Sequence, residues 1–172
     1  IDIMIQRENG EECRPYEVGE ICGKSVMMMQ GYYNRPDLTE KTIINNWLHS
    51  GDLGYLDDDG YLFLVDRVKD MIISGGVNVF PKDIEEVIIK HPDVAEVAVF
   101  GVPDKKWGES PVAAIICHED QIVSVDKLKV WINQRVDAKF QRVKEILILN
   151  SFPRNVAGKT LKREMRESYL KN

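Results

Sequence analysis

DRVKDMIISGGVNVFPKDIEEVI, residues 66–88, is where this chain changes character. The short apolar run DMIIS reads as a strand, SGGVNVFP as a glycine-rich loop, and PKDIEEVIIKH as a helix opening on Pro81. Proline suits the first helical turn, because its missing N–H would have no helical partner there. Ile84, Val87 and Ile88 fall on one face of that helix, spaced to meet a core. A strand, a loop and an amphipathic helix in succession announce a mixed α and β lobe rather than a continuation of what precedes it.

What precedes it is sheet-like. IDIMIQ alternates as a half-buried strand does, and ICGKSVMMMQGYY returns to strand after a turn-rich NGEECRPYEVGE. RPDLTEKTII makes a short helix after Pro36. WLHSGDLGYLDDDGYLFLVDRV reads as a hairpin whose corner is Asp58–Asp59–Gly60. These strands would leave open edges if they stood alone.

Beyond residue 88 the alternation continues. VAEVAVFGV and SPVAAIICH read as buried strands joined by the exposed PDKKWGE. SVDKLKVWINQRV is a second helix facing the core through Leu128, Trp131 and Ile132. VKEILIL is a further strand, and TLKREMRESYL is a closing helix with Leu161, Met165 and Tyr169 spaced four apart. The expected class is α+β: a C-terminal lobe with a small central sheet flanked by helices, preceded by a β-rich fragment of something larger. The boundaries are 1–68 for the β-rich part and 69–172 for the lobe.

Bulk properties narrow the function. The chain has 172 residues, 44% of them hydrophobic, enough for a real core. No run reaches 18 apolar residues, so no transmembrane segment is expected, and no signal peptide is visible. Cys13, Cys22 and Cys117 are odd in number, widely spaced and far in sequence from the three histidines. That pattern predicts free thiols in a reducing, cytoplasmic setting and no zinc site. A net charge of −5 argues against nucleic acid. The charge is uneven: residues 139–172 hold nine Lys/Arg against three Asp/Glu, a local +6. A basic tail on an acidic body fits a phosphorylated small molecule and fits a solvated helix face equally.

Five places carry candidate chemistry. NVAGKT, residues 155–160, sets Lys159 behind Gly158, with Thr160 as a plausible helix cap. It is not a nucleotide phosphate loop, because Pro153 stands where that motif needs its first glycine. HSGDLG places Asp52 between two glycines, where a carboxylate can accept two vicinal hydroxyls or merely cap a turn. DRVKD offers Arg67, able to clamp a ribose or phosphate or to end a strand in a salt bridge. Gly75 and Gly76 let a thin substrate pass close to the backbone. Trp107 is expected to be half exposed, packing or touching a partner. Asp57, Asp58 and Asp59 point apart along a hairpin and read as a solvated turn rather than a metal cluster.

In this order and spacing, these residues resemble the C-terminal third of the AMP-forming acyl-CoA synthetases, within the adenylating superfamily that includes luciferase and peptide-synthetase adenylation domains. GEI, MMMQGYYNRPDLTEKTI, NNWLHSGDLGYLDDDGYLFLVDRVKDMIISGGVNVFPKDIEEVI, HPDVAEVAVFGVPDKKWGESPVA and FPRNVAGKTLKRE carry the likeness over nearly the whole chain. The resemblance implies that Asp52 and Arg67 hold the ATP ribose and that Lys69 is a hinge. It implies that Gly75 and Gly76 line the pantetheine tunnel and that Lys159 is the catalytic lysine of adenylation. Residues 1–68 become the β-rich end of a large domain, and 69–172 a mobile C-terminal domain.

It also implies an acid–thiol ligation using ATP and CoA through an acyl-adenylate, with fatty acids the first substrate class and aryl acids the second. Mg²⁺ is expected in the full enzyme, with no ligands in this chain. The acyl pocket, the phosphate loop and the adenine-stacking aromatic belong to an N-terminal part of the same polypeptide, the main expected partner, so the piece alone is expected to be inactive. Self-association is left open. The competing readings are an adenylation domain that loads a carrier protein, and a non-catalytic binding or assembly module.

Overall fold

The structure is a computed structural model that describes residues 1–118 and 123–171. It divides into two compact units, Ile1–Lys69 and Asp70–Asn172, and Asn172 itself lies outside the described residues.

The first unit is an antiparallel sheet. Strands β1 (Asp2–Gln6), β2 (Gly19–Lys24), β4 (Trp47–Leu56) and β3 (Ile43–Ile44) lie side by side in that order, and β5 (Leu62–Arg67) also pairs with β4. Helix α1 (Pro36–Thr42) starts on proline, as the sequence predicts, and delivers the chain into β3. The hairpin between β4 and β5 is closed by Asp57, whose Oδ1 accepts the N–H groups of Asp59 and Tyr61 at 3.1 and 2.8 Å. Asp57 is therefore spent on the turn.

One expectation fails here. The predicted strand ICGKSVMMMQGYY ends at Lys24. Ser25 turns the chain out of the sheet: its carbonyl accepts Met28 N–H and its Oγ accepts Met27 N–H. Local side-chain-to-backbone bonds of this kind compete with a sheet ladder, and the apolar methionines alone do not hold the strand.

The second unit is a sheet covered by helices. Its strands are β6 (Ile72–Ser74), β7 (Val77–Val79), β8 (Val94–Asp104), β9 (Gly108–Cys117) and β10 (Glu145–Ile148). β9 is central: it pairs antiparallel with β8 and β6 and parallel with β10. A parallel return needs a crossover, and helix α3 (Val125–Asn133) lies within it. Both sheet faces are apolar because both are covered. Val99, Ala113 and Ile115 face α2 (Pro81–Ile88) and α3 through Ile84, Ile88, Leu128 and Ile132. The alternate residues Ala98, Phe100, Val102, Val112 and Ala114 pack on Phe152 and on Met165 of α4 (Lys162–Lys171). Burying each large side chain of this kind contributes about 1.5–3 kcal/mol. Truncating Ile115, fully buried in the first of these clusters, to alanine would cost about 2–5 kcal/mol.

Two further expectations change. SGGVNVFP is not an open loop: Val77–Val79 pairs with Ile72–Ser74, so Gly75–Gly76 is a two-residue hairpin turn. Their φ values of +61° and +77° are the left-handed conformation such turns demand. Thr160 is not a helix cap. It forms an isolated bridge with Arg154, and α4 begins two residues later.

Candidate functional site

In the second unit, the loop at 154–160 is a small built object. Phe152 is buried in the core and anchors its near end. Leu161 N–H donates to Pro153 O at 2.8 Å, closing the far end. Asn155 is the scaffold: its Oδ1 accepts the N–H groups of Ala157 and Lys159 at 3.0 and 2.9 Å, and its own N–H donates to Lys159 O. Gly158 supplies the left-handed step, with φ +79°. Arg154 donates to Gly158 O at 3.0 Å and forms an ion pair with Glu96 on β8. The backbone of Lys159 is thus fixed, while its side chain is exposed.

The neighbouring cations are all engaged. Lys162 Nζ lies 2.7 Å from Glu85, whose Oε1 also accepts Val99 N–H at 2.7 Å. Arg166 meets Glu109 at 2.8 Å, and Arg163 meets Glu167 at 3.4 Å. Much of the local positive charge is therefore bound to the acidic body and is not a free anion-binding face. Lys159 Nζ has no hydrogen-bond or ion-pair partner among the described residues.

In the first unit, Asp52 and Arg67 are register partners on β4 and β5. Arg67 Nε lies 3.3 Å from Asp52 Oδ1, and both side chains are about two-fifths exposed, at 44% and 41%. Gly51 precedes Asp52 with φ +75°, and the pairing slips between Leu53 and Gly54. The irregularity flanks Asp52, which itself stays in register opposite Arg67. Lys69 is exposed in a single 3-10 turn, Val68–Asp70, and is the last residue of the first unit.

Gly75 and Gly76 differ. A Cβ on Gly75 would meet the Trp107 ring at 2.9 Å, and Gly75 N–H donates to Trp107 O at 2.7 Å. At Gly76 a Cβ would meet nothing within 4 Å. Gly75 is needed for close packing, whereas only Gly76 leaves open space.

Sequence reasoning missed a cleft of 340 Å³ in the second unit, lined by Ser74, Trp107, Lys139, Phe140, Arg142 and Lys144 among others. Lys144 Nζ is tied to Asp104 at 3.0 Å, but Lys139 and Arg142 have no ion-pair partner among the described residues. Asp104 also accepts the N–H groups of Lys106 and Trp107, at 2.9 and 3.1 Å. These bonds and Lys144 hold its carboxyl well below the usual carboxylate range. Aromatic rings beside free cations suit a flat ring bearing phosphates. The available signal was KFQRVK at 139–144, three cations around one aromatic just before a strand.

Comparison with known proteins places these patches in context. Residues 83–159 match the family described as the AMP-binding enzyme C-terminal domain. The chain is 41% identical over 167 residues to 2-succinylbenzoate–CoA ligase of Bacillus subtilis, covering 97% of this chain and 34% of that enzyme. It is also 41% identical to the long-chain-fatty-acid–CoA ligase FadD13 of Mycobacterium tuberculosis, covering 98% and 33%. Among solved structures it is similar to the B. subtilis o-succinylbenzoate CoA synthetase in complex with its acyl-adenylate intermediate, with a TM-score of 0.86 at 41% identity, over 96% of this chain and 33% of that one. ATP-bound MatB from Rhodopseudomonas palustris superposes with a TM-score of 0.90 at 31% identity, over 98% and 34%. The chain spans about a third of the length of the relatives it matches.

Proposed function

This chain belongs to the adenylate-forming superfamily, and from that premise we propose that it is the C-terminal portion of an AMP-forming acyl-CoA ligase. The reaction joins a carboxylic acid to CoA at the expense of ATP, releasing AMP and pyrophosphate through an acyl-adenylate. The observation that carries this reading is Lys159: a cation whose backbone is pinned and whose side chain has no partner among the described residues.

In the first half-reaction a carboxylate attacks the α-phosphorus of ATP, so two anions must approach. A unit charge about 4 Å from each, at an effective dielectric of about 20, is worth roughly 4 kcal/mol. That corresponds to roughly 10²–10³ in rate. A compact ammonium on a flexible stem is suited to this task. Asp52 accepts hydrogen bonds from the ribose hydroxyls, and Arg67 both orients that carboxylate and contacts the sugar. In the second half-reaction the thiol of CoA attacks the acyl carbon and AMP leaves. Rotation about Lys69 withdraws Lys159 and brings Gly76 to the thiol's path, so one lobe serves two steps. The cleft holding Lys139 and Arg142 takes the phosphorylated adenosine end of CoA, with Trp107 between it and the Gly75–Gly76 turn.

The substrate panel is set by the relatives, which include enzymes named for an aryl acid and for long-chain fatty acids at the same identity. We take fatty acids first and aryl acids second, in a reducing cytoplasmic setting that suits three free thiols. No helix among the described residues is long and apolar enough to cross a membrane. The test is the native polypeptide carrying this chain, given ATP, CoA and both acid classes. AMP and a CoA thioester forming in equal amounts is the expected outcome. ADP as the nucleotide product overturns the reading, and acyl transfer to a carrier protein with CoA ignored replaces it with the carrier-loading one.

A further inference from the structure

The sheet of the first unit brings together three groups that lie far apart in sequence. Cys22 on β2 and His49 on β4 are register partners, 27 residues apart. Glu20 lies two residues before Cys22, and the register slips between them. His49 Nδ1 lies 2.8 Å from Glu20 Oε2 and 3.6 Å from Cys22 Sγ. The donor atoms of all three residues fall within 4.8 Å of one another. Cys22 is fully buried, while Glu20 and His49 reach the surface in part. Glu20 is oriented by Gly51, whose N–H donates to Oε1 at 3.0 Å and leaves Oε2 facing the imidazole.

From this convergence we propose that Glu20, Cys22 and His49 form a binding site for a borderline transition-metal ion, Zn²⁺ by preference. A tetrahedral ion bound to sulfur at about 2.3 Å and to nitrogen or oxygen at about 2.0–2.1 Å holds sulfur and nitrogen about 3.5 Å apart, and nitrogen and oxygen about 3.3 Å apart. The structure sets the sulfur–nitrogen pair at 3.6 Å, close to that value, and the nitrogen–oxygen pair at 2.8 Å, a hydrogen-bonding distance that must open by about 0.5 Å to admit the ion. The donor set is one cysteine sulfur, which gives up its proton on binding the ion, one imidazole and one carboxylate. That mixture selects zinc over Ca²⁺ or Mg²⁺, which want oxygen alone. The same atoms hydrogen-bond to one another and to their neighbours, Nδ1 to Glu20 and the Cys22 thiol to Gln6, and the ion takes the place of those protons. A fourth donor is at hand: Gln6 Oε1 lies 3.9 Å from Cys22 Sγ. The ion joins β2 to β4 directly before the Gly51–Asp52 step. It would therefore stiffen the strand that presents Asp52, whatever reaction Asp52 serves.

The site escaped the sequence because its spacing follows no zinc motif. Sheet register, not proximity along the chain, assembles it. The test uses Co²⁺ alone as the probe, added to the reduced 172-residue chain carrying Cys13→Ser and Cys117→Ser, so that Cys22 is its sole thiol. A thiolate-to-cobalt charge-transfer absorption that saturates at one ion per chain, and that Zn²⁺ displaces, is the expected result. No such band overturns the proposal. Placing His49→Gln and Glu20→Gln in that background should each weaken Co²⁺ binding by about tenfold or more. Unchanged binding in either variant also overturns it. Should a variant fail to fold, the band in the parent chain decides alone, since all three ligands are intact there.

Discussion

Asp52 and Arg67 face each other across the β4–β5 pair, with Arg67 Nε 3.3 Å from Asp52 Oδ1. The contact is single-sided. It fixes one carboxylate oxygen and leaves Oδ2 without a hydrogen bond among the described residues. A carboxylate steadied in this way can still accept from a pair of vicinal hydroxyls. Hydrogen bonds to a charged acceptor contribute about 1.5–3 kcal/mol. In the full enzyme, Asp52→Ala should therefore raise KM for ATP by roughly tenfold to a hundredfold. It should also flatten the preference for ATP over 2′-deoxy-ATP. Steady-state kinetics with the two nucleotides check both, and an undiminished preference would remove Asp52 from the ribose.

Lys159 should separate the two half-reactions. With its side chain unpartnered among the described residues, truncation to alanine disturbs little of the fold. Adenylation, read as acid-dependent exchange of pyrophosphate into ATP, should fall by roughly 10²–10³. Thioester formation from supplied acyl-adenylate should persist. Lys69→Pro should do the opposite by restricting rotation at the last residue of the first unit. Equal losses in both steps for the Lys159 variant would remove the role assigned to it.

Gly75→Ala tests packing rather than chemistry. The new Cβ enters a left-handed backbone position, at roughly 1–2 kcal/mol, and pushes on the Trp107 ring at 2.9 Å. Thermal unfolding of the 172-residue chain should shift down by about 2–4 °C for each kcal/mol lost. Gly76→Ala carries the same backbone strain without the clash, so its loss should be smaller. Matching melting temperatures for the two variants would contradict the packing at Trp107.

Much of the lobe was legible because its signals are local. Ile84 and Ile88 on one helix face, and the doubly apolar strands around Val99 and Ala113, state their burial by period alone. The hairpin at Gly75–Gly76 was misread as a loop because a three-residue strand such as Val77–Val79 is too short to show alternation. The glycine pair was the stronger signal. Lys159 and Asp52 stood out by their loops, but nothing in the sequence shows that Arg154, Lys162 and Arg166 are engaged. Their partners Glu96, Glu85 and Glu109 lie 58, 77 and 57 residues away and meet them only through the folded sheet. The cleft at Arg142 was hidden for the same reason.

Arg142 should matter for CoA and not for ATP. It lines the cleft with Lys139 and has no ion pair among the described residues, so its loss opens no buried charge. Losing one charge-assisted contact to a phosphate, about 1.5–3 kcal/mol, predicts that Arg142→Ala raises KM for CoA by roughly tenfold to a hundredfold. Pyrophosphate exchange should be unchanged. An altered exchange rate with an unaltered KM for CoA would move the CoA site elsewhere.

Asp104 ties the wall of that cleft to the β8–β9 turn, and its titration predicts an acid limit. Its carboxylate accepts the N–H groups of Lys106 and Trp107 and pairs with Lys144. These contacts hold its folded pKa well below the ordinary 3.8. A depressed folded value means that the unfolded chain takes up the proton first. The stabilisation is therefore fully present above about pH 5, declines as pH falls through the ordinary carboxylate range, and is gone below the folded value. Asp104→Asn loses the charge at every pH, so it should be less stable than the parent at pH 7, and the gap should shrink toward pH 3. Melting curves of the two chains between pH 7 and pH 3 measure that convergence. A gap independent of pH would mean that the turn depends on the shape of the side chain and not on its charge.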